Sequence, residues 1–268
     1  MDFDLDKGAC LVEGPEGSGQ HYNAQLRRVD FLDRRVYERS EGVYYPSVTS
    51  ILSAAPVDPF FLDWIKMMGR NADIVRTQAA REGTRVHEAM ENLAAGKTIQ
   101  WQDDYGNAKY SLLEWQMILR GADFFTAYKP KVLASEQFLW SDKYQYAGTT
   151  DLLCEMNFED RQEIWLLDFK TSNHVSLTYY MQLAAYAKAL EEIKGIKPDK
   201  AGILWLKAST RTRSKRPGVY QGEGWQIIFS ENIEKDFDAF LKVYDVYKIY
   251  NPKIEPYVKS YPTEVSIN

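Results

Sequence analysis

Apolar positions in this chain change their period near Pro130. From Ser47 onward their spacing predicts helices: "PFFLDWIKMMG" closing at Gly69, "GTRVHEAMENLAAG" starting after Gly83 with Thr84 as N-cap and stopping at Gly96, and "YSLLEWQMILRGADFFTAYKP" closing at Pro130. Beyond Pro130 the runs "KVLASEQFLW", "YQYAGTTDLLCEM" and "EIWLLDFKTS" read as three strands joined by short polar turns. A helix follows, "SLTYYMQLAAYAKALEEIKG", with Ser176 as N-cap and Gly195 as stop. The strands "KAGILWLKAST" and "GWQIIFS" and a last helix, "ENIEKDFDAFLKVYDVYKIY", ended by Asn251 and Pro252, complete the pattern. From residue 110 the order is α-β-β-β-α-β-β-α. Three meandering strands and a crossover helix predict an α/β fold, a central mixed β-sheet flanked by helices. Residues 1–45, with the Gly-rich "EGPEGSGQ" and the patterned "RRVYERSEGVYYPSV", read as a loop and a hairpin-like accessory segment. The main domain is then 46–268: a helical part 46–130, a sheet core 131–230 and a C-terminal helix 231–252.

Composition narrows the class. Of 268 residues, 45% are hydrophobic and 26% charged, which fits one main soluble globular domain able to bury a core without staples. The two cysteines, Cys10 and Cys154, stand far apart with no CxxC pair, so neither a disulfide framework nor an iron–sulfur cluster is expected. An acidic N-terminus and the absence of any long apolar run predict no export signal and no membrane span, hence a cytoplasmic protein. The net charge of −5 argues against coating nucleic acid by bulk electrostatics but leaves room for a local basic patch. Lys207, Arg211, Arg213, Lys215 and Arg216 form such a patch, with no acid until Glu223. It reads either as a phosphate-neutralising loop or as a solvated one. Eighteen tyrosines and seven tryptophans suit a packed core and base stacking alike. Tyr44, Tyr45 and Trp64 are candidates for a stacking platform, with core packing the plainer reading of Trp64.

The chemistry concentrates in "GTTDLLCEMNFEDRQEIWLLDFKTS", residues 148–172. If its two strands form an antiparallel hairpin, Asp151 and Asp168 lie side by side at one edge, and alternation points Asp168 and Lys170 the same way. Phe169 then turns to the core and leaves its backbone carbonyl near the carboxylates. Two acids and a lysine can hold a magnesium ion and orient the water it acidifies. The same Asp-x-Lys also occurs as ordinary charge at strand ends. The apolar "WLL" before it is what speaks for the first reading, because burying a charge trio costs free energy unless each member is partnered.

With "GTTD", "LLDFKTS" and "YMQLAAYA" in this order, the chain resembles the PD-(D/E)XK nuclease superfamily, in its RecB-like exonuclease branch, over about Ser47 to Ile228. The resemblance implies a restriction-endonuclease-like αβββαβ core with an N-terminal helical extension. It also implies a metal-dependent DNA exonuclease that leaves 5′-phosphate ends, in phage or bacterial recombination, repair or replication. By this likeness Asp151 and Asp168 bind Mg²⁺ or Mn²⁺ with the Phe169 carbonyl, and Lys170 positions the nucleophile. "GTRVH" matches the branch's GxxxH and adds His87 to the metal shell, Glu136 matches an acid on the first strand, and Gln182 and Tyr186 match its Q-x-x-x-Y at the active site. Glu88 and Glu91 read as helix solvation. The implied partners are DNA with single-stranded character or free ends, and a single-strand annealing or binding protein. An endonuclease of the same superfamily, or a non-catalytic nucleic-acid-binding protein on the same fold, are the alternatives.

Overall fold

The computed structural model describes residues 22–23, 26–31, 34–158, 160–255 and Ser266; the Gly-rich opening and Cys10 lie outside them. The described chain begins with four strands, Tyr22–Asn23 (β1), Leu26–Phe31 (β2), Arg34–Ser40 (β3) and Val43–Pro46 (β4), in an antiparallel sheet of order β1-β2-β3-β4. This is a longer meander than the hairpin expected for the segment. Tyr37 and Tyr45 face one another across β3 and β4 and bury with Leu26 against Trp140 and Ala147. The sheet is thereby fastened to the rest of the molecule by apolar contact, and Ser47 adds a parallel bridge to Ala147.

Helices α1 (Val48–Leu52), α2 (Pro59–Met68), α3 (Ala72–Ala94) and α4 (Leu112–Tyr128) follow. The expected start at Thr84 is corrected, because α3 begins at Ala72 and runs straight through Gly83. Gly83 does not punctuate the helix. A Cβ at that position would sit 3.1 Å from Thr171 Oγ1, so glycine permits close approach to the loop after Lys170. The Thr84 hydroxyl donates within the helix to the Ala80 carbonyl. The other helix boundaries behave as their cap residues dictate. Asp58 accepts from Phe60 N and Gly69 closes α2, while Ser111 and Glu114 form a reciprocal capping box that opens α4.

The second sheet contains β5 (Lys131–Ser141), β6 (Tyr146–Asn157), β7 (Gln162–Lys170), β8 (Lys200–Trp205), β9 (Gln221–Gly222) and β10 (Trp225–Phe229) in the order β5-β6-β7-β8-β10-β9. Pairing is antiparallel except between β7 and β8, which run parallel because helix α5 (Leu177–Lys194) crosses between them. Ser176 caps α5 and Gly195, in the left-handed conformation, ends it; helix α6 (Ile233–Tyr250) closes the order. The expected α/β architecture, a mixed sheet flanked by helices, is what the chain adopts. The two-residue β9 is the addition, too short to show alternation.

Neighbouring residues on the central strands bury into opposite layers. Leu153, Leu166 and Ile203 pack with α1, α5 and α6, whereas Leu152, Leu167 and Leu204 pack with α3 and α4. Each fully buried leucine of this kind contributes roughly 1.5–3 kcal/mol. The result is a rigid strand platform whose C-terminal end, where β7 meets the loop to α5, carries the charged residues. Among the described residues, no helix is long and apolar enough to cross a membrane.

Candidate metal centre and active site

The charged cluster sits where β5 and β6 depart from regular pleating. Tyr146 and Leu153, seven positions apart on β6, enter the same apolar layer, so the strand's alternation reverses between them. On β5, Glu136 has φ of 50°, unusual for a residue with a side chain. Its place in the register falls opposite Asp151, between the pairs Ser135–Leu152 and Gln137–Thr150, and it forms no pair of its own. Backbone strain of about 1–3 kcal/mol is typical of such a residue, and here it aims Glu136 at Asp151.

Asp151 and Asp168 are 7% and 2% exposed, so neither is a surface charge. Asp151 accepts from the Phe169 N–H through Oδ2 at 2.6 Å, and its Oδ1 lies 3.4 Å from His87 Nδ1. Phe169 turns its ring into the core, edge-on to His87, as alternation predicts. Asp168 and Lys170, on the other face, meet at 2.5 Å. Gln182 on α5 joins them: its amide donates to Asp168 Oδ1 at 2.9 Å, and its Oε1 accepts from Lys170 Nζ at 3.0 Å. Tyr186, one turn further on, accepts from the same amide at 3.1 Å. Tyr186 is held in turn by Gly148, where a Cβ would collide with its ring at 2.5 Å.

The electrostatics follow from this burial. Burial raises Asp168 against the pull of Lys170, and with the charge of Asp151 nearby its pKa lies at about 6. Asp151 is pushed up by burial but held below the usual carboxylate range by His87, Lys170 and the Phe169 N–H. Burial opposes charge on His87, yet the facing Asp151 outweighs it and lifts the imidazole to about 8. Burial and Asp151 push Glu136 to about 7, with Glu91, one helical turn beyond His87, adding to the rise. Burial lowers Lys170, but Asp168 and Asp151 reverse this and keep it protonated.

His87, Glu136 and Asp151 each offer a ligand atom, all within 4.8 Å of one another. A nitrogen and two carboxylate oxygens fit Mn²⁺ and, less well, Mg²⁺, which favours all-oxygen sites. Asp168 is not in this trio, because its oxygens turn to Gln182 and Lys170. Its Oδ2 nevertheless accepts no well-directed hydrogen bond despite the nearby ammonium, which leaves a buried oxygen with unused capacity beside the trio.

Other expected residues are distributed differently. Arg213 is bound to Asp123 of α4 at 2.7 and 2.9 Å and lies against the Tyr128 ring, so it anchors its loop rather than facing solvent alone. Lys207 is half-buried just past β8, whereas Arg211, Lys215 and Arg216 are exposed. Tyr45 is in the core with its hydroxyl on Asp142, and Tyr44 donates to Glu38, so the two do not form an open stacking platform. Trp64 stacks on Phe61. Glu91 is exposed on α3, as its reading as helix solvation expects, while Tyr179, which the sequence did not single out, has its ring 4.6 Å from Lys170 Nζ. The i, i+3, i+7 spacing of Tyr179, Gln182 and Tyr186 is the signal that would have found it. Compared with known proteins, the chain matches no protein-family model and no curated protein.

Proposed function

We propose that this protein is a divalent-metal-dependent deoxyribonuclease, acting as an exonuclease and leaving 5′-phosphate ends. One observation carries the reading: the carboxylates and lysine of the sequence motif are buried, Asp168 at 2% exposure against Lys170 and Asp151 at 7% within the three-ligand cluster with His87 and Glu136. Buried ion pairs return little net stability, so a site that maintains one at a strand end serves chemistry better than folding. The strand order, with α5 crossing between parallel β7 and β8 after a three-strand meander, supports a restriction-endonuclease-like core.

His87, Glu136 and Asp151 would hold the ion, with Asp168 at its margin. A bound Mn²⁺ or Mg²⁺ supplies Lewis acidity to a phosphoryl oxygen and acidifies water. The chain's own groups do the rest. Lys170, fixed by Asp168 and Gln182, presents a permanent positive charge where negative charge grows on the phosphorus oxygens. Gln182, locked by Tyr186, keeps the ammonium from collapsing onto Asp168 alone. Water adds to phosphorus as the bond to the 3′ oxygen breaks, and the phosphate stays on the 5′ side. Exposed Arg211, Lys215 and Arg216 supply cations for the DNA backbone.

End-labelled linear DNA and closed circular single-stranded DNA, each with Mn²⁺ or Mg²⁺, test the reading. An exonuclease degrades the linear substrate and spares the circle, and chelation or Lys170→Ala stops it. Nicking of the circle would replace the exonuclease with an endonuclease. Binding without cleavage of either substrate would overturn the enzyme reading.

A further inference from the structure

The face of α5 that holds Gln182 and Tyr186 carries a third residue. Tyr179 lies three positions before Gln182 and seven before Tyr186, so the three form one stripe over the end of β7. Its ring centroid is 4.6 Å from Lys170 Nζ, inside the range at which an aromatic quadrupole attracts a cation. Tyr179 belongs to the first turn of α5, and its N–H donates to the carbonyl of the cap residue Ser176, so the ring's backbone is fixed where the helix begins.

We propose that Tyr179 is a positioning residue that holds the Lys170 ammonium over its ring, in the orientation required for phosphodiester cleavage. This rests on the nuclease reading of the same site. Lysine has four flexible carbons and three N–H donors. Gln182 Oε1 takes one donor at 3.0 Å, and Asp168 Oδ2 lies 2.5 Å from the nitrogen. A further carboxylate or amide oxygen in the place of the ring would hold the side chain too, but would consume a further donor. A ring attracts the charge through its π-face and leaves that donor for the reacting phosphate or water. Asp168 from β7 and Gln182 and Tyr179 from α5 thus restrain the ammonium, and the ring does so without accepting a conventional hydrogen bond from it.

Two variants separate the ring from the hydroxyl. Tyr179→Leu keeps apolar bulk and removes the π-face; Tyr179→Phe keeps the ring. With linear DNA and Mn²⁺, Tyr179→Leu should lower kcat about 5- to 30-fold, the range of a partly desolvated cation–π contact, with KM and Mn²⁺ affinity within about threefold of wild type. Tyr179→Phe should recover most of the loss. A merely structural role would move KM and metal affinity together with kcat and would not distinguish the two variants. A second measurement does not depend on activity. In the NMR spectrum, the Cε protons of Lys170, assigned by their loss in Lys170→Met, should be shifted upfield by the ring in wild type and Tyr179→Phe, but not in Tyr179→Leu. An unchanged kcat in Tyr179→Leu, or equal impairment in both variants, overturns the proposal. So does an absent ring shift in the wild type. If the wild type cleaves no DNA, the nuclease reading fails, and the NMR result alone decides whether the ring holds the ammonium.

Discussion

Lys170→Met removes the cation from a buried pair, and general experience puts breaking such a pair at about 3–5 kcal/mol. The structure sets a smaller and pH-dependent cost. In the wild-type protein the Asp168 carboxyl already has its pKa raised from 3.8 to about 6, with burial the first cause. At 1.36 kcal/mol for each tenfold change, keeping it ionised above pH 6 already costs the fold about 3 kcal/mol. Without Lys170 the pKa rises further, but the penalty at a given pH has a ceiling, because the carboxyl then takes up a proton. At pH 7 that ceiling is about 4 kcal/mol, so the variant loses only about 1 kcal/mol more than wild type from this source; at pH 8 the difference grows to about 3 kcal/mol. The sign is fixed by a folded pKa above the unfolded one. The carboxyl's destabilising contribution is absent below about pH 4, grows as pH rises from there and levels off above the folded value, which is higher in the variant than in wild type. Urea denaturation of both proteins in chelator at pH 5, 7 and 8, beside DNA cleavage at pH 7 with Mn²⁺, measures all of this. The expected variant is near wild type in stability at pH 5, weaker at pH 8, and inactive by two or more orders of magnitude at pH 7. A destabilisation of 3–5 kcal/mol that is the same at every pH would refute the reasoning, as would full activity.

Three further outcomes follow from the same geometry. Gly148→Ala places a methyl group against the Tyr186 ring, and overpacking of this kind should cost about 1–3 kcal/mol in denaturant titration and lower cleavage by loosening Gln182; an unchanged midpoint would show that the ring yields freely. Metal binding requires neutral His87 and ionised Glu136, which lie at about 8 and about 7, so Mn²⁺ affinity should climb between pH 6 and 8 and flatten above it. Calorimetry in buffers of different ionisation enthalpy should detect the released protons, and a pH-independent affinity would remove these two groups from the site. Replacing Arg211, Lys215 and Arg216 by Gln should flatten the salt dependence of single-strand binding by about 0.7 in log–log slope for each phosphate no longer neutralised, whereas Arg213→Gln should act mainly on stability through its tie to Asp123.

The elements that were legible in the sequence are those whose signal is local. Ser176 and Gly195 set the ends of α5 by a hydrogen bond and by backbone freedom, and the alternation of "EIWLLDFK" foretold that Asp168 and Lys170 would share a face. What was not legible depends on contacts between distant segments. Gly83 looks like a helix break until Thr171 is seen across from it, and the basic loop looks unopposed until Asp123 arrives from α4. Glu136 illustrates the limit best. Regular alternation along "KVLASEQFLW" cannot place it, because its backbone takes a positive φ facing the stretch of β6, between Tyr146 and Leu153, in which alternation reverses. No propensity encodes that coincidence, since the strain at Glu136 is tolerated only while the ladder on either side, Ser135–Leu152 and Gln137–Thr150, stays intact. The position of the third ligand atom is therefore a property of the paired sheet and not of the strand that carries it.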